Sequence, residues 1–347
     1  MSSQKHLLVI RLSAMGDVAM TVHVISALVH QHPDVQVTML TRQFFKPLFS
    51  QLPNVKVYVA DVKGKHSGVF GLWKLYNELK NLQVDAVADL HQVLRTAILK
   101  QFFKLGGFRF AQIDKGRKEK KALTASMNKV FKPLKSTHRR YADVFALLGY
   151  PVNLEKAPLL SRQPLSEKSK QLLTATDKKR IGIAPFAAFE GKMYPLDLME
   201  QLIAQLSNSA TYEILLFGGG EKEQKQLEIW EKQFPNTVQT IGKLTFSEEL
   251  NLISHIDLML AMDSGNAHLA ALFGVPTLTL WGNTHPYAGF YPFGQDMENA
   301  LLADREKFPF IPTSVYGNKM PAGYSEAMRT IRPQVILDKI QEIVEKK

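Results

Sequence analysis

Short apolar runs alternate with amphipathic stretches through the first hundred residues, stop, and resume from residue 180. LLVIRL (7–12), VQVTML (35–40), VKVYVA (55–60) and VDAVADL (84–90) read as strands. Helical spacing lies over residues 17–31, 43–52, 70–82 and 93–103. A continuous apolar run of this length suits a strand buried on both faces of a parallel sheet. Strands joined by helices specify a doubly wound α/β sheet with right-handed crossovers. Three prolines interrupt the pattern between 151 and 178. Strands are then predicted at 180–186, 212–220, 256–263 and 275–282, with helices at 196–206, 221–234, 247–254 and 266–273. Residues 333–347 form an amphipathic helix, with Pro333 suited to its first turn. The expected organisation is a Rossmann-like domain over 1–155, a linker over 156–178, a second Rossmann-like domain over 179–330 and a terminal helix over 331–347. Two such domains are expected to face each other across a cleft, with ligands at the carboxyl ends of strands.

Composition excludes several alternatives. Without cysteine the chain has no disulfides, thiolate nucleophile or cysteine–zinc site, which fits the cytosol. No apolar run approaches the roughly 20 residues of a membrane helix. P-loop, G-x-S-x-G and H-E-x-x-H patterns are absent, and no metal site is expected. Thirteen basic residues face two acidic ones between Lys100 and Arg140, so this segment carries the whole net charge of +11. It is read either as a solvated loop or as the docking surface for an anionic partner.

Four loops follow predicted strands and carry candidate chemistry. SAMGD (13–17) places Asp17 at a helix start, either as an N-cap or as a general base. AAFEGKMYP (187–195) offers Lys192 as a point charge for phosphate or as an ordinary surface lysine. The GGG turn (218–220) precedes Glu221, which can accept hydrogen bonds from ribose hydroxyls. In AMDSGNAHLAALFG (261–274) the strand ends at Asp263, and Ser264, Gly265 and Asn266 open a helix whose free N–H groups suit a diphosphate. His268, in its first turn, is a packing residue or a phosphate donor.

RLSAMGDVAMT (11–21), DLHQVLRTAIL (89–99), GKMYP (191–195), FGGGEKE (217–223) and MDSGNAHLAALFGVPTLTLWGNTHP (262–286) together carry a family likeness. Over nearly its whole length the chain resembles the ADP-heptose:lipopolysaccharide heptosyltransferases, glycosyltransferase family 9. The resemblance implies a GT-B fold and an inverting, metal-independent transfer from a nucleotide sugar, ADP-heptose, with no cofactor. It makes Asp17 the catalytic base and Lys192 a catalytic contact to donor phosphate. It gives the ribose to Glu221 and the diphosphate and sugar to Asp263, Ser264, Gly265 and His268. Leu244 matches a position lining the adenine pocket. Ser13, Met15, Gly16, Ala187 and Asn266 complete the implied donor-binding set. The chain departs from the family where R-W-P becomes Met193-Tyr194-Pro195 and G-P-T becomes Gly282-Asn283-Thr284. The acceptor side, residues 61–140, is the least similar part.

The acceptor expected from the resemblance is an anionic glycolipid of the lipopolysaccharide core. Arg95, Arg117, Arg139 and Arg140 are the candidates for holding it, because arginine forks onto phosphate and carboxylate. The basic segment is expected on the first domain, bringing the enzyme to the acidic cytoplasmic face of the inner membrane as a peripheral protein. The competing readings are a sugar-nucleotide epimerase, a transferase with another donor, and a non-catalytic nucleic-acid binder. No nucleic-acid module is visible and aromatics scarcely interleave the charges, so no nucleic-acid partner is expected.

Overall fold

A computed structural model describes residues 5–173 and 177–346. Residues 174–176 of the expected linker and residue 347 of the expected terminal helix lie outside them. The chain forms two compact units, one of Met1–Gly116 with Lys135–Leu160, the other of Arg117–Leu134 with Ser161–Lys347.

The first unit is built on β1 (Lys5–Ile10), β2 (Val35–Thr41), β3 (Val55–Val59), β4 (Ala86–Asp89) and β5 (Arg109–Gln112). All pairings are parallel, in the order β3-β2-β1-β4-β5. From β1 the chain winds outward to β3, then crosses back to place β4 against the other side of β1. This reversal is a topological switch point, where doubly wound sheets bind ligands. Leu8 and Ile10 share a core with Leu72, Leu75 and Leu79 of helix Gly68–Lys80 and with Leu99 and Phe103 of helix Leu94–Leu105. Helix Met15–Gln31 packs against helix Thr137–Leu147. Residues 43–52, expected as an α-helix, instead contain the 3-10 helix Gln43–Phe49. Pro47 lies inside it and has no N–H to give an α-helical ladder.

The second unit repeats the plan with β6 (Lys179–Ala184), β7 (Tyr212–Leu216), β8 (Thr237–Gln239), β9 (Leu258–Met262), β10 (Thr277–Trp281) and β11 (Ala300–Leu302). Its parallel order is β11-β10-β9-β6-β7-β8, so the switch point falls between β6 and β9. Ile336 and Ile340 of helix Pro333–Glu345 enter the core with Leu202 and Leu206 of helix Leu196–Ser207. The strands that sequence reading does not find are β5, β8 and β11, which are short and lie at or near sheet edges.

Residues 117–134, placed by sequence in the front domain, pack with the second unit. Lys129 Nζ donates to the carbonyls of Leu123, Phe310 and Pro312 at 2.9–3.1 Å. Phe131 packs on His285 and Tyr287, with Arg305 over its face at 3.4 Å. Lys120, buried, lies 4.0 Å from the centre of the Phe290 ring. Part of the basic segment is thus spent on carbonyls and aromatic faces of the second unit, and the segment is not one continuous surface of the first.

Candidate active site

In the first unit the loop after β1 and the loop after β4 meet at the switch point, and Arg11 joins them. Its guanidinium donates from Nε to the Ser13 carbonyl and from Nη1 to the Leu90 carbonyl, each at 2.7 Å. Its Nη2 is 2.5 Å from Asp17 Oδ2. Asp17 is in the first turn of helix Met15–Gln31, and its carboxylate also faces the Ala14 N–H at 3.4 Å. The N-cap itself is Ala14, so Asp17 caps by reaching back rather than by occupying the cap position. The Arg11 side chain is 6% exposed and that of Asp17 is 29% exposed. The pair thus hides its cation and presents its carboxylate. The Tyr141 hydroxyl donates to the Asp17 carbonyl at 3.3 Å.

Beneath this loop lies His91, with Nε2 3.4 Å from Ser13 Oγ. Burial, with Arg11 and Lys115 nearby, pushes its imidazole down to about 3, so it stays neutral. The turn that carries it is fixed by buried Asp89, whose Oδ1 accepts from the His91 and Gln92 N–H groups and whose Oδ2 accepts from Gln112. Sequence reading missed Arg11, Asp89, His91 and Tyr141 as site-building residues. Arg11 and the Asp-Leu-His run stand inside the motifs, but what they join appears only once β1 and β4 are neighbours.

In the second unit the loops after β6 and β9 are joined by an ion pair of opposite polarity. Lys192 Nζ is 2.8 Å from Asp263 Oδ2 and donates to the Asp263 carbonyl at 3.1 Å. Here the carboxylate is the more buried partner, 6% exposed against 14% for the lysine. Ser264 is the N-cap of helix Gly265–Leu272, yet its hydroxyl makes no cap hydrogen bond. The Ser264 Oγ atom is buried without a hydrogen-bond partner among the described residues. Gly265 and Asn266, half-buried, form the helix start, and His268 is buried one turn in. This end offers backbone N–H groups and a dipole to an anion.

The lysine loop is pinned by its neighbours. The Asn283 N–H donates to the Gly191 carbonyl at 2.8 Å. Proline, the family's residue there, has no N–H to give, so the departure adds a tether. A side chain at Gly191 would meet the Gly317 carbonyl, which explains the glycine. Tyr194, in the other departure, is fully buried and donates to the Ile331 carbonyl at 2.6 Å.

The remaining candidates scatter in significance. Ser13, Met15 and Gly16 are half-buried around the Asp17 loop, and Ala187 is half-buried after β6. Leu244 is half-buried beside Thr245, which caps helix Phe246–Ile253. Glu221, expected at the glycine turn, is 82% exposed and paired with Lys225. It is Glu223 that accepts from the Gly219 N–H at 2.8 Å. Among the arginines, Arg95 and Arg139 lie in the first unit and Arg117 in the second. Arg140 is 4% exposed, with its guanidinium held by the carbonyls of Lys135 and Asp114. It is therefore a structural arginine and, contrary to the expectation from sequence, does not offer its guanidinium to an acceptor. Among the described residues no group of three or more His, Asp or Glu could hold a metal ion.

Comparison with known proteins agrees with this architecture. The model of glycosyltransferase family 9 (heptosyltransferase) matches residues 72–311. The lipopolysaccharide core heptosyltransferase OpsX of Haemophilus influenzae is 27% identical over 295 residues, covering 81% of this chain and 80% of its own. Lipooligosaccharide heptosyltransferase 2 of the same organism is 25% identical, covering 98% and 100%. The fold matches the crystal structure of a family 9 glycosyl transferase from Veillonella parvula with a TM-score of 0.77 at 18% identity, covering 100% and 99% of the two chains. The chain belongs to glycosyltransferase family 9, the heptosyltransferases.

Proposed function

We propose that the protein moves a heptose from ADP-heptose to a lipopolysaccharide core acceptor with inversion at the anomeric carbon. The observation that carries this reading is the Lys192–Asp263 bridge beside an uncapped helix start at the β6/β9 switch point. That edge offers fixed positive charge and free N–H groups where a diphosphate must bear growing negative charge. Asp17 of the first unit takes the proton of the acceptor hydroxyl. As the oxygen bonds to the anomeric carbon, the carbon–oxygen bond to the diphosphate breaks, and ADP leaves. General-base help of this kind supplies roughly 10²–10⁴-fold. Lys192 and the N–H groups at Ser264–Asn266 stabilise the leaving charge without rearranging. Arg11 is a positioning residue, holding the Asp17 carboxylate at the switch point.

Leu244 and Ala187 contribute to the nucleotide pocket in this reading, and Glu221, 82% exposed and paired with Lys225, adds little to the ribose contact. Arg95 and Arg139 are candidates for the anionic acceptor in the first unit and Arg117 in the second. The enzyme works at the cytoplasmic face of the inner membrane, where such an acceptor is anchored. The test is incubation with ADP-heptose and a core acceptor lacking the terminal heptose. The expected result is ADP release matched by a gain of one heptose in the acceptor's mass. ADP-heptose consumption with no acceptor product would overturn the reading.

A further inference from the structure

We infer that the outer face of helices Gly68–Lys80 and Leu94–Leu105 is a membrane-docking surface for an anionic lipid leaflet. The inference rests on the reading that the acceptor is membrane-anchored, but it does not use the catalytic residues. Phe70 is 91% exposed, Val69 58% and Trp73 50%, and the spacing 69/70–73 puts them on one side of their helix. On the neighbouring helix Leu94 is 80% and Leu105 87% exposed. The two apolar edges join through Trp73, whose ring meets that of Phe102 edge-on at 5.1 Å. A cluster of large exposed apolar side chains on a folded surface marks an interaction site. Aromatic side chains of this kind favour the lipid headgroup region.

Charge selects the occupant. The two helices carry five basic residues and a single acidic one, Glu78. Glu78 is already engaged by Lys65, Tyr58 and His66 at 2.5–3.0 Å. Lys74, Lys80 and Lys104 are exposed. Exposed cations on the same helices as an aromatic patch complement an anionic leaflet. A second copy of the chain fits worse, because a two-fold interface would set these cations against themselves. The starts of both helices follow β3 and β4, at the carboxyl edge that also holds Asp17. Docking here would bring that edge to the bilayer.

The test is co-sedimentation of the full-length protein with phosphatidylcholine vesicles containing phosphatidylglycerol, alongside tryptophan emission. Trp230 and Trp281 are fully buried, so a blue shift on vesicle addition reports Trp73. The expected result is binding that weakens with salt, a blue shift, and a loss of at least about tenfold in partitioning for Phe70→Ser, from the transfer cost of one aromatic side chain. Leu105→Ser serves as a second variant. Transfer to an acyl-free acceptor should be unchanged in both, which separates loss of docking from loss of function. No wild-type binding to anionic vesicles, or equal binding by both variants, would overturn the inference. So would a wild-type dimer that Phe70→Ser converts to monomer, since the face would then be a self-interface.

Discussion

The two sheets share one winding, with β11 an added edge strand in the second, and put opposite charges to opposite use. At the β1/β4 switch point a buried arginine holds a carboxylate that remains 29% exposed. At the β6/β9 switch point a carboxylate, 6% exposed, holds a lysine beside a helix N-terminus. In the proposed mechanism the same winding thus presents a proton acceptor in one unit and an anion site in the other. The lesson is that the fold supplies a place for a charge pair, while which member is buried decides the chemistry offered.

The strongest way to break this comparison is to neutralise the presented carboxylate. Asp17→Asn should lower turnover by roughly 10²–10⁴-fold, as expected for a lost general base. Steady-state ADP release would show it, and near-normal turnover would end the base assignment. Lys192→Ala should cost about 10²–10³-fold in turnover, the range for a lost transition-state charge contact. It should also destabilise the second unit, since Asp263 would be left buried without its cation. Adding Asp263→Asn should recover melting temperature but not turnover, which separates the two roles of the lysine.

A smaller effect concerns acid stability, and both units share it. His91 is pushed down to about 3, and burial with Arg305 nearby pushes His285 down to about 4. Below pH 6.5 the unfolded chain takes up protons that these folded imidazoles refuse, so stability should fall as pH drops from 6.5 toward those values. His91→Gln should flatten the melting-temperature profile across that window, and an unchanged slope would show that His91 does not remain neutral. The smallest effect is expected at the glycine turn. Glu221→Gln should change the apparent donor affinity by less than about threefold, because a contact made by an 82% exposed carboxylate already paired with Lys225 is weakened by water. A larger loss in donor titrations would show that Glu221 reaches the ribose.

Much of this comparison was legible in the sequence. Each main loop follows a continuous apolar run, so Asp17, Lys192 and Asp263 could be assigned to strand ends. What joins them could not, because β1 meets β4 and β6 meets β9 across long crossovers. Arg11 therefore reads as the end of a strand, and His91 as part of a helix-starting turn. The fate of residues 117–134 was hidden for another reason. A run of lysines reports solvation or an anionic partner, not that Lys129 finds three backbone carbonyls. The part played by Glu223 was equally local. Gly220, at φ 88°, sets the helix start so that the second glutamate turns back to the Gly219 N–H.

The division of labour between the two charge pairs is tested most directly by calorimetric titration of ADP into wild type, Asp17→Asn and Lys192→Ala. The account predicts an unchanged Kd for Asp17→Asn and a Kd at least about tenfold weaker for Lys192→Ala, in line with loss of one charge-assisted contact. Equal losses in the two variants, or full ADP affinity without Lys192, would contradict it.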